Sequence, residues 1–99
     1  MTHRKWMMAA VLLVSAMTTM AQVKTGIEVL RERNFDVLQG KRVGLCTNPT
    51  GVDRNLVSTI DILWEAENVN LVALYGPEHG VRGNIYAGDH VDNEVDPKT

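Results

Sequence analysis

The spacing of apolar residues divides the chain into stretches of different character. From Trp6 to Met17 the sequence is almost continuously apolar, behind Arg4 and Lys5 and ahead of Thr18-Thr19-Met20-Ala21. A basic opening, a short apolar run and small residues before a cut are the parts of a secretory signal peptide. A membrane-spanning helix needs ~20 apolar residues, more than this run offers. Residues 1–21 are therefore expected to be a signal peptide, cut after Ala21 with Thr19 at the −3 position. The mature chain is expected to be periplasmic or secreted, with no stable membrane insertion.

Beyond the cut the rhythm changes. Thr25-Gly26-Ile27-Glu28 has the form of a capping box, which predicts a short helix to about Asn34 with Ile27 and Leu30 inward. Gln39-Gly40-Lys41 reads as a turn. Arg42 to Thr47 keeps apolar residues at successive positions without alternating, which suits a strand covered on both faces, as in a parallel sheet. Asn48-Pro49-Thr50-Gly51 breaks that strand. Asp53 is placed to cap a helix over about 54–67. In it Leu56, Ile60, Leu63 and Trp64 fall at i, i+4, i+7 and i+8, an inward stripe. Val69 to Tyr75 reads as a second buried strand. Strand near 43–47, helix near 54–67 and strand near 69–75 make an α/β fold: a parallel β-α-β unit, which is almost always right-handed. From Gly80 onward the chain is polar and Gly-rich without periodicity, the mark of a long loop.

Parallel strands leave their loops on one edge, and open α/β sheets bind ligands outside the carboxyl ends of the strands. The loops Asn48–Val52 and Gly76–Asp89 are therefore expected to share a rim. The second carries "LYGPEHGVRG", residues Leu74 to Gly83. Pro77 fixes its own φ and biases Gly76 away from helix, while Gly76 and Gly80 can take angles closed to other residues. Glu78 and His79 are thus held on a stiff turn. In an extended segment their side chains point to opposite faces, so that one faces the crevice and the other braces the loop. Glu78 fits a held catalytic carboxylate, and equally a brace paired with Arg82. Arg82 fits a bidentate clamp for a substrate carboxylate, and equally the other half of that brace.

Composition narrows the classes. Without Arg4 and Lys5, eight basic residues stand against 12 acidic ones, a mature net charge of about −4. That balance argues against a nucleic-acid surface, which needs clustered Lys and Arg. Cys46 is the single cysteine, so no internal disulfide is possible, and inside an apolar run it reads as a small buried hydrophobe. His79, Asp89, His90 and Asp92 match neither a zinc nor a calcium spacing, and no metal site is expected. The glycines form no dinucleotide fingerprint or P-loop, and no cofactor is expected. The acidic run Asp89 to Asp96 reads as solvated surface. A core built from residues 22–99 is marginal, and Asp96-Pro97-Lys98-Thr99 reads as the start of a turn. The chain is expected to be the front of a longer protein, poorly folded and inactive alone.

Two segments, "GKRVGLCTNPTGVDRNLVSTIDIL" and "VNLVALYGPEHGVRG", resemble the exo-β-N-acetylmuramidase (NamZ-type) family of bacterial cell-wall recycling enzymes. The resemblance runs from about Val23 to Thr99. It implies that residues 22–99 are the N-terminal portion of a Rossmann-like catalytic domain in a larger two-domain protein, with the active site in a cleft between the domains. It implies an exo-acting glycoside hydrolase that releases N-acetylmuramic acid from the non-reducing ends of peptidoglycan fragments. Its partners would be peptidoglycan-derived saccharides or muropeptides. Glu78 of "GPEHG" matches the family's proposed catalytic carboxylate; Asn48 of "TNPTG" and His79 and Arg82 of "GPEHGVRG" match cleft positions assigned to substrate contact. Glycosidases commonly use two carboxyl groups, and the second is expected beyond Thr99. The alternative reading is a secreted, non-catalytic module that binds cell-wall sugars on the same scaffold.

Overall fold

The structure, a computed structural model, describes residues 3–8, 22–77 and 79–99. The expected cleavage after Ala21, most of the apolar run before it, and Glu78 lie outside those residues. Residues 3–8 are helical and exposed. The rest is α1 (Gly26–Glu32), a 3-10 turn (Asp36–Leu38), β1 (Arg42–Cys46), α2 (Thr59–Glu65) and β2 (Asn70–Tyr75).

α1 starts as its sequence predicts. The Glu28 carboxylate accepts from the backbone N–H of Thr25 at 2.7 Å and from its hydroxyl at 2.9 Å. Glu28 also takes the Arg54 guanidinium, and these bonds, Arg54's first, hold its carboxyl at about 2. The helix ends at Glu32, where Asn34 and Phe35 turn left-handed with φ of 52° and 53°. That exit drives Phe35 into the core beside Ile62 and Leu63, with Ile27 and Leu30 packed against them. The turn at Gly40 is made by its φ of +70°.

β1 and β2 pair in parallel, Arg42 opposite Asn70 and Cys46 opposite Tyr75, with an irregularity at Val43/Gly44 that leaves Val72 without an opposite residue. The expected parallel β-α-β unit is present. Its coverage differs from the expectation. Leu45 and Leu71 pack against the core and Val43 is partly buried, whereas Gly44, Cys46, Val72 and Tyr75 are exposed. Both helices contribute to one core, so among the described residues only one face of the sheet is covered. Cys46 is therefore an exposed thiol rather than a buried hydrophobe.

α2 is shorter than its apolar pattern suggests. Its N-cap is Ser58, whose hydroxyl accepts from Ile60 N at 3.2 Å. Asp53 caps an earlier turn instead, its Oδ1 accepting from Asn55 N at 2.9 Å and Val57 N at 3.0 Å. Leu56 sits in that turn with φ of 62° and is exposed, because the helical spacing has not yet begun. Within the helix Ile60, Asp61, Ile62 and Leu63 are all buried. Four successive buried positions span the whole circumference of a helical turn, so α2 is covered on more than one side. Burying each apolar member contributes about 2 kcal/mol. Trp64 is half exposed and lies outside the core.

Candidate functional site

The two loops that leave β1 and β2 meet. Asn48, Pro49 and Thr50 from the first, and Pro77, His79, Arg82, Gly83 and Ile85 from the second, line one hollow of about 610 Å³. Three of the four residues singled out from the sequence, Asn48, His79 and Arg82, thus line the same hollow. The fourth, Glu78, lies outside the described residues. In sequence it stands between Pro77 and His79, both of which line the hollow.

The first loop is built from its own side chains. The Asn48 side-chain oxygen accepts from Thr50 N at 3.2 Å and from the Thr50 hydroxyl at 2.8 Å, and Gly51 N donates to the Asn48 carbonyl at 3.0 Å. Such side-chain mimicry of a turn is what makes Asn and Thr frequent in loops. It spends the amide oxygen of Asn48 on the turn and leaves the NH2 group as its donor. Gly51 permits the closure, since a Cβ there would lie 2.3 Å from Thr47 Oγ1. Thr59 N donates to Gly51 O at 2.8 Å, which ties the loop to the start of α2.

The second loop turns at His79 rather than at Gly76. His79 has φ of +100°, a conformation unfavourable for a residue with a side chain. His79 itself is therefore not extended, and the expected alternation with Glu78 falls on a residue outside those described. Gly76 serves by close approach, because a Cβ there would lie 3.1 Å from Gly80 C and from Val81 N. The strain at His79 is held by two bonds to one residue: Ile85 N donates to His79 O at 3.0 Å, and His79 Nδ1 lies 3.0 Å from Ile85 O. A carbonyl only accepts, so Nδ1 carries the proton in this contact. The tautomer of the ring is thereby set by the loop itself. Gly83, with φ of +75°, backs onto Pro49, and a Cβ there would lie 2.8 Å from Pro49 Cγ. This is where the two loops touch.

Arg82 is turned toward the protein's own acids. Nε and Nη2 donate to the two oxygens of Asp96 at 3.1 and 2.9 Å, and Nη1 donates to Asp61 Oδ1 at 3.0 Å. The other oxygen of Asp61 takes the Lys98 ammonium. Asp96 Oδ2 also accepts from Thr99 N at 3.1 Å and Oγ1 at 2.7 Å. The Arg82 fork holds the Asp96 carboxyl well below the usual carboxylate value, despite burial. Burial pushes the Asp61 carboxyl up, but bonds from Lys98 and Arg82 outweigh it and keep the acid below its ordinary value. The Asp89 to Asp96 run, expected to be solvated throughout, is so only as far as Val95; Asp96 is drawn in by Arg82.

A pH dependence follows. Both carboxyls are depressed in the folded state, so their stabilisation is complete above the ordinary value of 3.8 and drains away as pH falls below it. Unfolding free energy measured across the acid range should fall more steeply for the wild type than for Asp96→Asn, which has no such group to titrate. Parallel curves would remove Asp96 from the acid-sensitive set.

Asp61 and Asp96 were not legible as site residues from spacing. The one sequence signal for Asp61 is a carboxylate inside "TIDIL", between two isoleucines of a buried helix. A charge at such a position requires a partner.

Residues 43–99 match the family described as exo-beta-N-acetylmuramidase NamZ, N-terminal. The chain belongs to this family. Over 78 residues, 79% of the chain, it is 51% identical to the peptidoglycan beta-N-acetylmuramidase NamZ of Bacillus subtilis (strain 168). It is also similar to the crystal structure of a DUF1343 family protein from Bacteroides fragilis NCTC 9343, with a TM-score of 0.62 and 77% identity over 67% of the chain. The chain spans 19% of the length of the first relative and 17% of the second.

Proposed function

We propose that a full-length protein carrying this chain is an exo-acting glycoside hydrolase that releases N-acetylmuramic acid from the non-reducing ends of peptidoglycan fragments. Its substrates are peptidoglycan-derived saccharides or muropeptides, met in the periplasm or outside the cell after removal of residues 1–21. Membership of the NamZ family supports the substrate class. The observation that carries the reading is the meeting of the Asn48 and His79 loops around one hollow, with Glu78 next in sequence to two of its lining residues.

Each residue has a chemical part. Glu78 supplies a carboxyl group at the glycosidic bond, one of the pair that glycoside hydrolysis commonly requires. Asn48 offers its amide NH2 to a sugar oxygen, since its carbonyl oxygen is spent on the turn. His79 presents a ring whose tautomer is held by Ile85. A rim this stiff favours catalysis, because a reacting group must be held within fractions of an ångström of its productive position.

The test is the product. Incubated with a peptidoglycan oligosaccharide of defined length, the full-length protein should liberate N-acetylmuramic acid as a monosaccharide, one residue per event, as read by mass spectrometry. Internal cuts that yield larger fragments first would reject the exo mode. Tight binding without any release would favour a non-catalytic cell-wall sugar-binding module.

A further inference from the structure

The Arg82 fork decides what the wall of the hollow is for. An arginine that reads a ligand carboxylate directs its planar pair of N–H groups at the ligand. In this structure that pair, Nε and Nη2, is already closed on Asp96, and Nη1 is closed on Asp61. Both acids are largely buried, with side-chain exposures of 12% for Asp61 and 8% for Asp96. Lys98 supplies the second positive charge, so two carboxylates face two cations and none is left buried alone. Breaking such a set by removing one member leaves an uncompensated charge.

The network also joins three separate parts of the chain. Asp61 belongs to α2, Arg82 to the loop after β2, and Asp96 to the segment after it. Arg82 lies midway between His79, whose backbone is strained, and Ile85, which holds His79 by two bonds. Gly83, next to Arg82, rests against Pro49 of the other loop. The loop is thus pressed between α2 on one side and the Asn48 turn on the other, and Arg82 is the pin.

We propose that Arg82 is a positioning residue, gripped by Asp61 and Asp96, which sets the His79 wall of the hollow before a saccharide arrives; it does not read the substrate's lactyl carboxylate. Asp61 and Asp96 are positioning residues through it. This rests on the muramidase reading above. It differs from the role that Arg82 takes by family resemblance, and the two make opposite predictions about selectivity.

The experiment uses the full-length protein with three near-isosteric changes, Asp61→Asn, Asp96→Asn and Arg82→Lys. Substrates are a chromogenic N-acetylmuramic acid glycoside and its N-acetylglucosamine counterpart, which lacks the lactyl group. Each variant is expected to lose about tenfold or more in kcat, with KM changed by less than about threefold, and by the same factor on both substrates, as a misplaced catalytic wall should. Hydrogen exchange of the amides of residues 79–85 should quicken in all three. A rise in KM confined to the muramic-acid substrate for Arg82→Lys overturns the proposal in favour of carboxylate reading. Wild-type kcat in Asp61→Asn and Asp96→Asn, with only a lowered Tm, overturns it in favour of a purely structural ion network. If the wild type cleaves neither glycoside, the muramidase reading has failed. Exchange then decides the inference alone, and unchanged protection of residues 79–85 in the variants rejects it.

Discussion

Glu78→Gln in the full-length protein is expected to lower turnover of a chromogenic muramic-acid glycoside by about a thousandfold, the scale of a lost general acid or base, while binding of N-acetylmuramic acid stays within about threefold. The substitution keeps volume and hydrogen-bonding capacity but can neither ionise nor deliver a proton. Its neighbours in sequence, Pro77 and His79, both line the hollow. Turnover and affinity must be read separately, by steady-state kinetics and by calorimetry with the free sugar. A fall in kcat without loss of affinity is the signature of an interaction made in the transition state. Unchanged turnover would take Glu78 out of the mechanism.

Gly83→Val is expected to damage both the stability of the loop and the rim of the hollow. The position has φ of +75°, and a β-branched residue there costs about 2 kcal/mol in backbone strain. It also places a Cβ 2.8 Å from Pro49 Cγ, so one of the two loops must move. Gly88→Val is the control. Gly88 has φ of +83°, but a Cβ there meets nothing within 4 Å. Both variants should lose stability to a similar first degree, and Gly83→Val should lose about 1 kcal/mol more, in the range of overpacking. Only Gly83→Val should also lose activity, about tenfold or more, because only it parts the walls of the hollow. Equal stability and equal activity in the two variants would show that the contact with Pro49 does not hold the rim.

The comparison of these glycines shows where sequence reading reaches its limit. Both have neighbours that suggest a loop, and both take positive φ. Only the fold brings Pro49, more than thirty residues away, against one of them. The same holds for Arg82. Its position four residues after Glu78 suggested either a brace with that glutamate or a clamp for substrate. The structure shows its guanidinium on Asp61 and Asp96, acids on other segments. Long side chains choose partners through space, and no periodicity records that choice.

Local signals fared better where the cause was local. The capping box at Thr25 and Glu28, the Gly40 turn and the ends of β1 and β2 all follow from chemistry within a few residues. The start of α2 did not follow from the apolar pattern, because the spacing of Leu56 to Ile60 mimics a helical turn. Asp53 and Ser58 are both good caps, and the turn closed by Asp53 Oδ1 on Asn55 and Val57 consumed the first of them. Trp64 was expected inward from the same stripe and lies half exposed.

The sequence by itself determined the order of the elements, the parallel pairing that follows from strand-helix-strand, and hence that the loops after Cys46 and Tyr75 open on one edge. Those are consequences of backbone chemistry and chain connectivity, which act over short distances. Tertiary structure alone decided which face of the sheet is covered, why Cys46 is exposed, and that Asp61 and Asp96 close on Arg82. Burial and charge pairing are set by what else is packed nearby, and a residue's neighbours in space are not its neighbours in the chain.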